Sequence, residues 1–138
     1  MTRDEIVNEA RSYLGKPWRH RGRLRSGLDC AGLLVLVSNT VGHEVEDVEA
    51  YSRLPDKERF VDHLKAQFQP ASLPLKPGMI VVLRDGILPC HTGILGWKHD
   101  RLTLIHASAT KRMVVEEVWE QFWTSKFRCA LDFPGVED

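Results

Sequence analysis

Absences bound this chain before any motif is read. Cysteine is scarce: Cys30, Cys90 and Cys129 are odd in number and widely spaced. That excludes a disulfide framework and a C-x-x-C metal pattern. Reduced thiols of this kind fit synthesis in the cytosol. An excess of one charge is missing too, since 19 Lys plus Arg balance 19 Asp plus Glu. No global field therefore argues for nucleic acid or a membrane surface. The longest apolar run, Ala31 to Val37, is far short of the roughly 20 residues that a membrane span needs. The amino end reads Met1-Thr2-Arg3-Asp4-Glu5, with no apolar stretch behind a basic start, so no secretion signal is expected. Repeats and low-complexity segments are absent as well.

What is present suits one domain over residues 1–138, with 43% hydrophobic and 28% charged residues, ordinary for a globular fold. Thr2 with Glu5 has the spacing of a capping box, and Ile6, Val7, Ala10, Tyr13 and Leu14 follow at helical period. This predicts an amphipathic helix over 3–14, ended by Gly15 and Pro17. Residues 15–28 read as a basic loop. A second helix over 29–41 is apolar nearly all round and therefore central. Residues 43–55 look irregular, and a third helix is predicted over 56–68. From Pro77-Gly78 the period becomes extended. Strands are expected at 79–83, 91–97, 102–107, 113–118 and 127–133, with a short turn or helix at 119–123. Pro134-Gly135 is expected to end the ordered chain. Helices first and strands second give an α+β fold, N-terminal helices packed on an antiparallel sheet.

The chemistry concentrates where the loop meets the second helix, at Ser26-Gly27-Leu28-Asp29-Cys30-Ala31-Gly32. A helix start offers unpaired N–H groups and the positive end of the macrodipole. Both favour a thiolate, so Cys30 is a candidate nucleophile. Position alone fits a small buried hydrophobe better. Asp29 or Ser26 could cap this helix. The loop before it holds Arg19, Arg21, Arg23, Arg25, His20 and Trp18, either a basic wall for substrate carboxylates or a solvated loop with Trp18 on the core.

Two histidines supply a candidate base. A hairpin turning at Lys98-His99-Asp100, centred between 98 and 99, opposes His91 and His106 directly on one face. Their Cβ atoms would lie about 4.5–5.5 Å apart. One imidazole could then take a proton from the thiol while the other orients it. A one-residue slip would separate them. Cys90 should point to the opposite face, and His99 should be exposed. A zinc site from Cys30, His91 and His106 is an alternative that no close-spaced ligand pair supports.

Asp29-Cys30-Ala31-Gly32-Leu33, Leu75-Lys76-Pro77-Gly78, His91-Thr92-Gly93-Ile94 and Ile105-His106-Ala107-Ser108, in that order, resemble the NlpC-type cell-wall peptidases, a papain-like group. Pro17-Trp18-Arg19-His20, Tyr51-Ser52-Arg53-Leu54-Pro55 and Phe133-Pro134-Gly135 resemble its phage-tail branch. The resemblance implies a papain-like fold and a cysteine endopeptidase without metal or cofactor. Its substrate would be the peptidoglycan stem peptide, typically at the gamma-D-glutamyl–diaminopimelyl bond. Cys30 would be the nucleophile, His91 the general base and acid, and His106 the orienting residue. Asp29 would help seat the substrate's amino end, with Trp18 and His20 beside it. Phage-tail proteins would be possible partners, and the chain would act in the virion tail or on the wall. Ala31 stands where the family usually has serine, and Trp18 where it usually has tyrosine. Two alternatives follow: a non-catalytic tail-assembly module on the same fold, or an amidase or acyltransferase of the superfamily.

Overall fold

The computed structural model describes residues 1–45, 57–85 and 88–138, and only the backbone of residues 57–60, 85 and 88–90. The Tyr51–Pro55 motif and the Cys90 side chain lie outside the described residues.

Helix α1 (Arg3–Arg11) opens as its spacing predicts, because Thr2 Oγ1 accepts the Glu5 N–H at 3.1 Å. Ile6, Val7 and Ala10 form its buried face. It closes earlier than the periodicity suggests, in turns over residues 12–15 that end at Gly15 with φ +82°. The following loop carries a small antiparallel ladder, β1 (Arg23–Leu24) against β2 (Gly27–Leu28). Helix α2 (Cys30–Val41) is capped by Asp29, whose Oδ1 accepts the Gly32 N–H at 2.8 Å, and it stops at Gly42 in the left-handed region. Leu33, Leu34 and Val37 are buried, as an apolar central helix requires. Helix α3 is Lys57–Gln67.

The remaining elements are β3 (Gln69–Pro70), β4 (Ile80–Asp85), β5 (Leu88–Lys98), β6 (Arg101–Ser108), β7 (Met113–Val118), a short helix α4 (Gln121–Thr124) and β8 (Phe127–Asp132). Strands β3 to β8 form one antiparallel sheet in the order β3-β8-β4-β5-β6-β7. The α+β expectation is met. Strand alternation divides the core. Ile80, Val82, Ile94 and Ile105 join the helices' apolar residues in one cluster. Met79, Val81, Leu83, Leu95 and Leu104 form a second on the other face, packed by Trp119, Trp123 and Phe127.

Two expectations are corrected. The β5–β6 hairpin pairs Lys98 with Arg101 and Ile94 with Ile105, so it is centred between 99 and 100. The turn is His99-Asp100 alone, with φ 53° and 61°. Two successive left-handed residues make the tight turn whose twist suits a hairpin, and His and Asp tolerate that conformation better than most side chains. His91 and His106 are therefore diagonal neighbours rather than directly opposed. Because the shift is two residues, they keep the same face. Second, Pro134-Gly135 does not end the ordered chain. Glu137 bridges Thr2 and donates its N–H to the Met1 carbonyl at 2.9 Å, while Arg3 pairs with Asp132 at 3.1 Å and with Asp138.

Candidate active site

Alternation along β5 and β6 sets His91 on the face of Leu83 and Leu95, and His106 on that of Leu104. Their rings meet edge to face, with His91 Nε2 and His106 Nδ1 2.9 Å apart. His106 is 2% exposed, and its Nε2 lies 2.8 Å from Glu117 Oε1 on β7. Lys111 Nζ holds the other Glu117 oxygen at 3.1 Å. Trp123 of α4 stacks on His91 and meets His106 edge-on, with centroids 4.8 Å apart. Burial holds the His106 imidazole below its ordinary pKa despite the Glu117 carboxylate, so that ring is neutral near pH 7. Burial would raise the Glu117 carboxyl, but hydrogen bonds from His106 and Lys111 outweigh it and hold the group below the usual range.

A cleft of about 260 Å³ opens against this pair. Arg84, Lys126, Phe122, Trp123 and Thr110 line it with the two histidines, and among the described residues no acidic side chain does. The Lys126 ammonium lies 4.8 Å over the Phe122 ring. Among the described residues Arg84 has no ion-pair partner.

Cys30 occupies the first position of α2 and comes to β5 at Thr92, whose Oγ1 donates to the Cys30 carbonyl at 3.3 Å. Groups of Thr92 and the Ala31 backbone also hydrogen-bond the sulfur. The thiol thus sits beside the residue that follows His91. Thr92 points to the helix side of β5 and His91 to the other. The structure thus brings the two imidazoles together on one face of β5 and Cys30 to the strand's other face, and Cys30 is not among the described residues that line the cleft. The three expected catalytic residues do not form a metal cluster: among the described residues no group of three or more His, Cys, Asp or Glu could hold an ion.

The thiol differs from the expectation of a helix-lowered pKa. Burial, then the adjacent Asp29 charge, pushes Cys30 up to about 11, against smaller opposing effects of the Thr92 and Ala31 hydrogen bonds. Cys30 is 9% exposed, so desolvation defeats the dipole, whose effect is only about 0.3–1 kcal/mol. Neutralising the neighbour tests this account. In Asp29→Asn, alkylation of Cys30 by iodoacetamide, mapped by peptide mass, should reach half its maximal rate at a lower pH than in the parent chain. An unchanged profile would remove Asp29 from the explanation.

Asp29 is the best-held side chain of the predicted substrate subsite. It is 5% exposed; its carboxylate accepts from Gly32 N–H, from Arg21 N–H at 3.0 Å and from Arg23 at 2.8 Å. Its capping role is met, and Arg23 occupies one of the oxygens on which a substrate amine would draw. Arg25 pairs with Glu9 at 3.1 Å and lies over the Tyr13 ring. Arg23 and Arg25 of the predicted basic wall are therefore engaged inside the chain. Trp18 packs half-buried on the core, bridges Leu28 and donates its backbone N–H to the Arg112 carbonyl. That brings the aromatic to the strand that leads into Cys30. His20 is exposed, its ring 6.3 Å from that of Trp18. His43 bonds the Gln67 carbonyl at 2.7 Å, away from the cleft residues.

Glu117, Trp123, Arg84 and Lys126 were not expected from the sequence. Face parity could have found Glu117: with the turn placed at 109–112, β7 sets Val115 opposite His106 and Glu117 two residues on, on the same face. The other three need the course of α4 and β8, which no local pattern supplies.

The NlpC/p60 domain of the peptidoglycan hydrolase SagA is similar at 20% identity and TM-score 0.71, covering 96% of this chain and 100% of that one. NlpC2 from Trichomonas vaginalis is similar at 16% identity and TM-score 0.74, covering 96% of this chain and 46% of that one. An N-acetylmuramoyl-L-alanine amidase from Bacteroides uniformis aligns at 13% identity and TM-score 0.57, covering 94% and 96%. The Trichomonas vaginalis protein is thus about twice as long as this chain. No curated protein matches. The NlpC/P60 family model matches residues 15–132, from the loop before Cys30 through the last strand, and the chain belongs to the NlpC/P60 family.

Proposed function

We propose that this chain is a cysteine peptidase of the bacterial cell wall, hydrolysing peptidoglycan stem peptides at the gamma-D-glutamyl–diaminopimelyl bond. The observation that carries the reading is the hydrogen-bonded pair His91–His106, 2.9 Å apart and walled by Trp123, with His91 on β5, the strand that Cys30 touches at Thr92. Family membership supports a hydrolase, and SagA, described as a peptidoglycan hydrolase, has the same fold. Arg84 and Lys126 give the cleft a positive wall suited to the carboxylates of such peptides.

His91 Nε2 is engaged with His106, so Nδ1 is the nitrogen that serves as base. His91 takes the Cys30 proton as the sulfur attacks the carbonyl carbon. The oxyanion forms near the start of α2. There Gly32 N–H is spent on the cap and Leu33 N–H on the Asp29 carbonyl, so the donors nearest the sulfur are the Cys30 and Ala31 N–H groups. His91 returns the proton to the departing amine, leaving a thioester. A water deprotonated by His91 then releases the acid and restores the thiol. A neutral resting thiol makes the first transfer depend on substrate, and catalytic hydrogen bonds often tighten only in the bound complex.

Mass spectrometry of defined muropeptides after incubation with the chain tests the reading. The expected products are the two fragments of that bond. A cut between the lactyl group and alanine would make the chain an amidase, the activity named for the Bacteroides uniformis neighbour. A second reading, a tail-assembly module with little turnover, is favoured by the buried, neutral thiol and by Ala31 and Trp18 at positions where the family usually has serine and tyrosine. It predicts no fragments, together with retention of phage-tail proteins on the immobilised chain.

A further inference from the structure

Glu117 takes no part in the steps above, yet it is the only carboxylate that the described contacts connect to the imidazole pair. We propose that Glu117 is a positioning residue that fixes the tautomers of His106 and His91, so that His91 presents an unprotonated Nδ1 to the nucleophile. The proposal rests on the peptidase reading for its kinetic consequence and on geometry for the rest.

An ionised carboxylate only accepts, so His106 must donate through Nε2–H across the 2.8 Å contact. A neutral His106 then has its lone pair on Nδ1. That atom lies 2.9 Å from His91 Nε2, which must therefore be the donor. A neutral His91 protonated at Nε2 has its lone pair on Nδ1, the atom required of the base. Remove the carboxylate and the chain of bonds can run the other way: His106 Nδ1–H donates to His91 Nε2, and His91 carries its proton on Nδ1, where it cannot act as base. At 2% exposure, His106 has little access to bulk water as a substitute partner.

The surroundings keep the direction fixed. The titratable and charged groups facing His106 are His91 from β5, Glu117 from β7 and Lys111 from the β6–β7 turn, with Arg84 from β4 and Lys126 before β8 lining the same cleft. Lys111 favours ionised Glu117 and ties its second oxygen. Met113, Val114 and Val115 of the same strand offer no group that could replace it.

The experiment compares the full chain with Glu117→Gln and Glu117→Asp, using two readouts. The first is the nitrogen chemical shift pattern of the His91 and His106 rings in the free protein at neutral pH. The parent and Glu117→Asp should show both rings protonated at Nε2. Glu117→Gln, whose amide N–H can donate to His106 Nε2, should show both protonated at Nδ1. The second is kcat and KM for a muropeptide. Glu117→Gln should lose about 10²- to 10³-fold in kcat with KM nearly unchanged, and Glu117→Asp should recover most of the loss. Ring patterns unchanged in Glu117→Gln would overturn the proposal, as would equal kcat losses in Gln and Asp accompanied only by a lower melting temperature. Absence of turnover in the parent chain would sink the peptidase reading, while the ring patterns would still decide this one.

Discussion

Cys30→Ala is expected to abolish release of stem-peptide fragments, by about 10⁴-fold or more against the parent chain. The loss belongs to the chemistry, because no other described residue can form the thioester there. Cys129, the other cysteine whose side chain is described, sits in β8 opposite Val82 and lines a groove with Pro70, Ala71 and Leu73. The fold should hardly notice the change. Cys30 packs at the end of α2 rather than in its middle, and losing one small buried group costs on the order of 1 kcal/mol. Thermal unfolding and a fragment assay on the same preparation check both halves. Retained cleavage with the fold intact would end the thioester mechanism. Cys30→Ser serves as the second variant, keeping the shape while replacing the thiol by a weaker nucleophile.

Gly32→Ala is expected to be the most damaging small substitution near the site. A Cβ there would fall 2.1 Å from the Gly22 carbonyl oxygen, 3.2 Å from Leu28 Cβ and 3.3 Å from Asp29 Oδ1. The first contact is with backbone that also accepts the Asp29 N–H, so relief means moving the loop away from α2. Overpacking of this kind costs about 1–3 kcal/mol, which lowers the melting temperature of a domain this size by roughly 3–10 °C. Activity should fall further than stability, because the Asp29 cap and the Cys30 backbone move with the helix start. Gly42→Ala is the control: its cost is confined to a left-handed φ of 95° with nothing within 4 Å, so turnover should persist. A Gly32→Ala chain with parental melting and kinetics would refute the close packing of loop on helix.

Much of the molecule was legible from residue patterns, for identifiable reasons. Thr2 and Asp29 announced their helices because short side-chain acceptors satisfy first-turn N–H groups, and both do so here. The switch to period two after Gly78 located β4 to β8. The β1–β2 ladder escaped because a two-residue strand has no period. The hairpin centre slipped because Lys98, His99 and Asp100 all look like turn residues, and only backbone conformation shows that His99 and Asp100 alone carry positive φ. Among the candidate site residues, His91 and His106 were legible as a pair on one face because histidine is scarce and strand parity places both, and the structure does set their rings 2.9 Å apart; Asp29 was legible as a cap. The state of the thiol could not be read. It depends on how much water the folded chain removes and on a charge whose own partners, Arg21 and Arg23, are fixed only in three dimensions. Glu117 was hidden for a related reason, since its meaning comes from a register across two strands.

The His99-Asp100 turn has an implication for how this hairpin tolerates change in length. Insertion of one residue is expected to be absorbed in a three-residue turn that leaves Lys98 paired with Arg101. Only a slip of the pairing itself by one residue would send either His91 or His106 into the layer occupied by Ile94 and Ile105. The positive φ angles of His99 and Asp100 therefore guard the pairing frame of the two rings rather than the length of the loop.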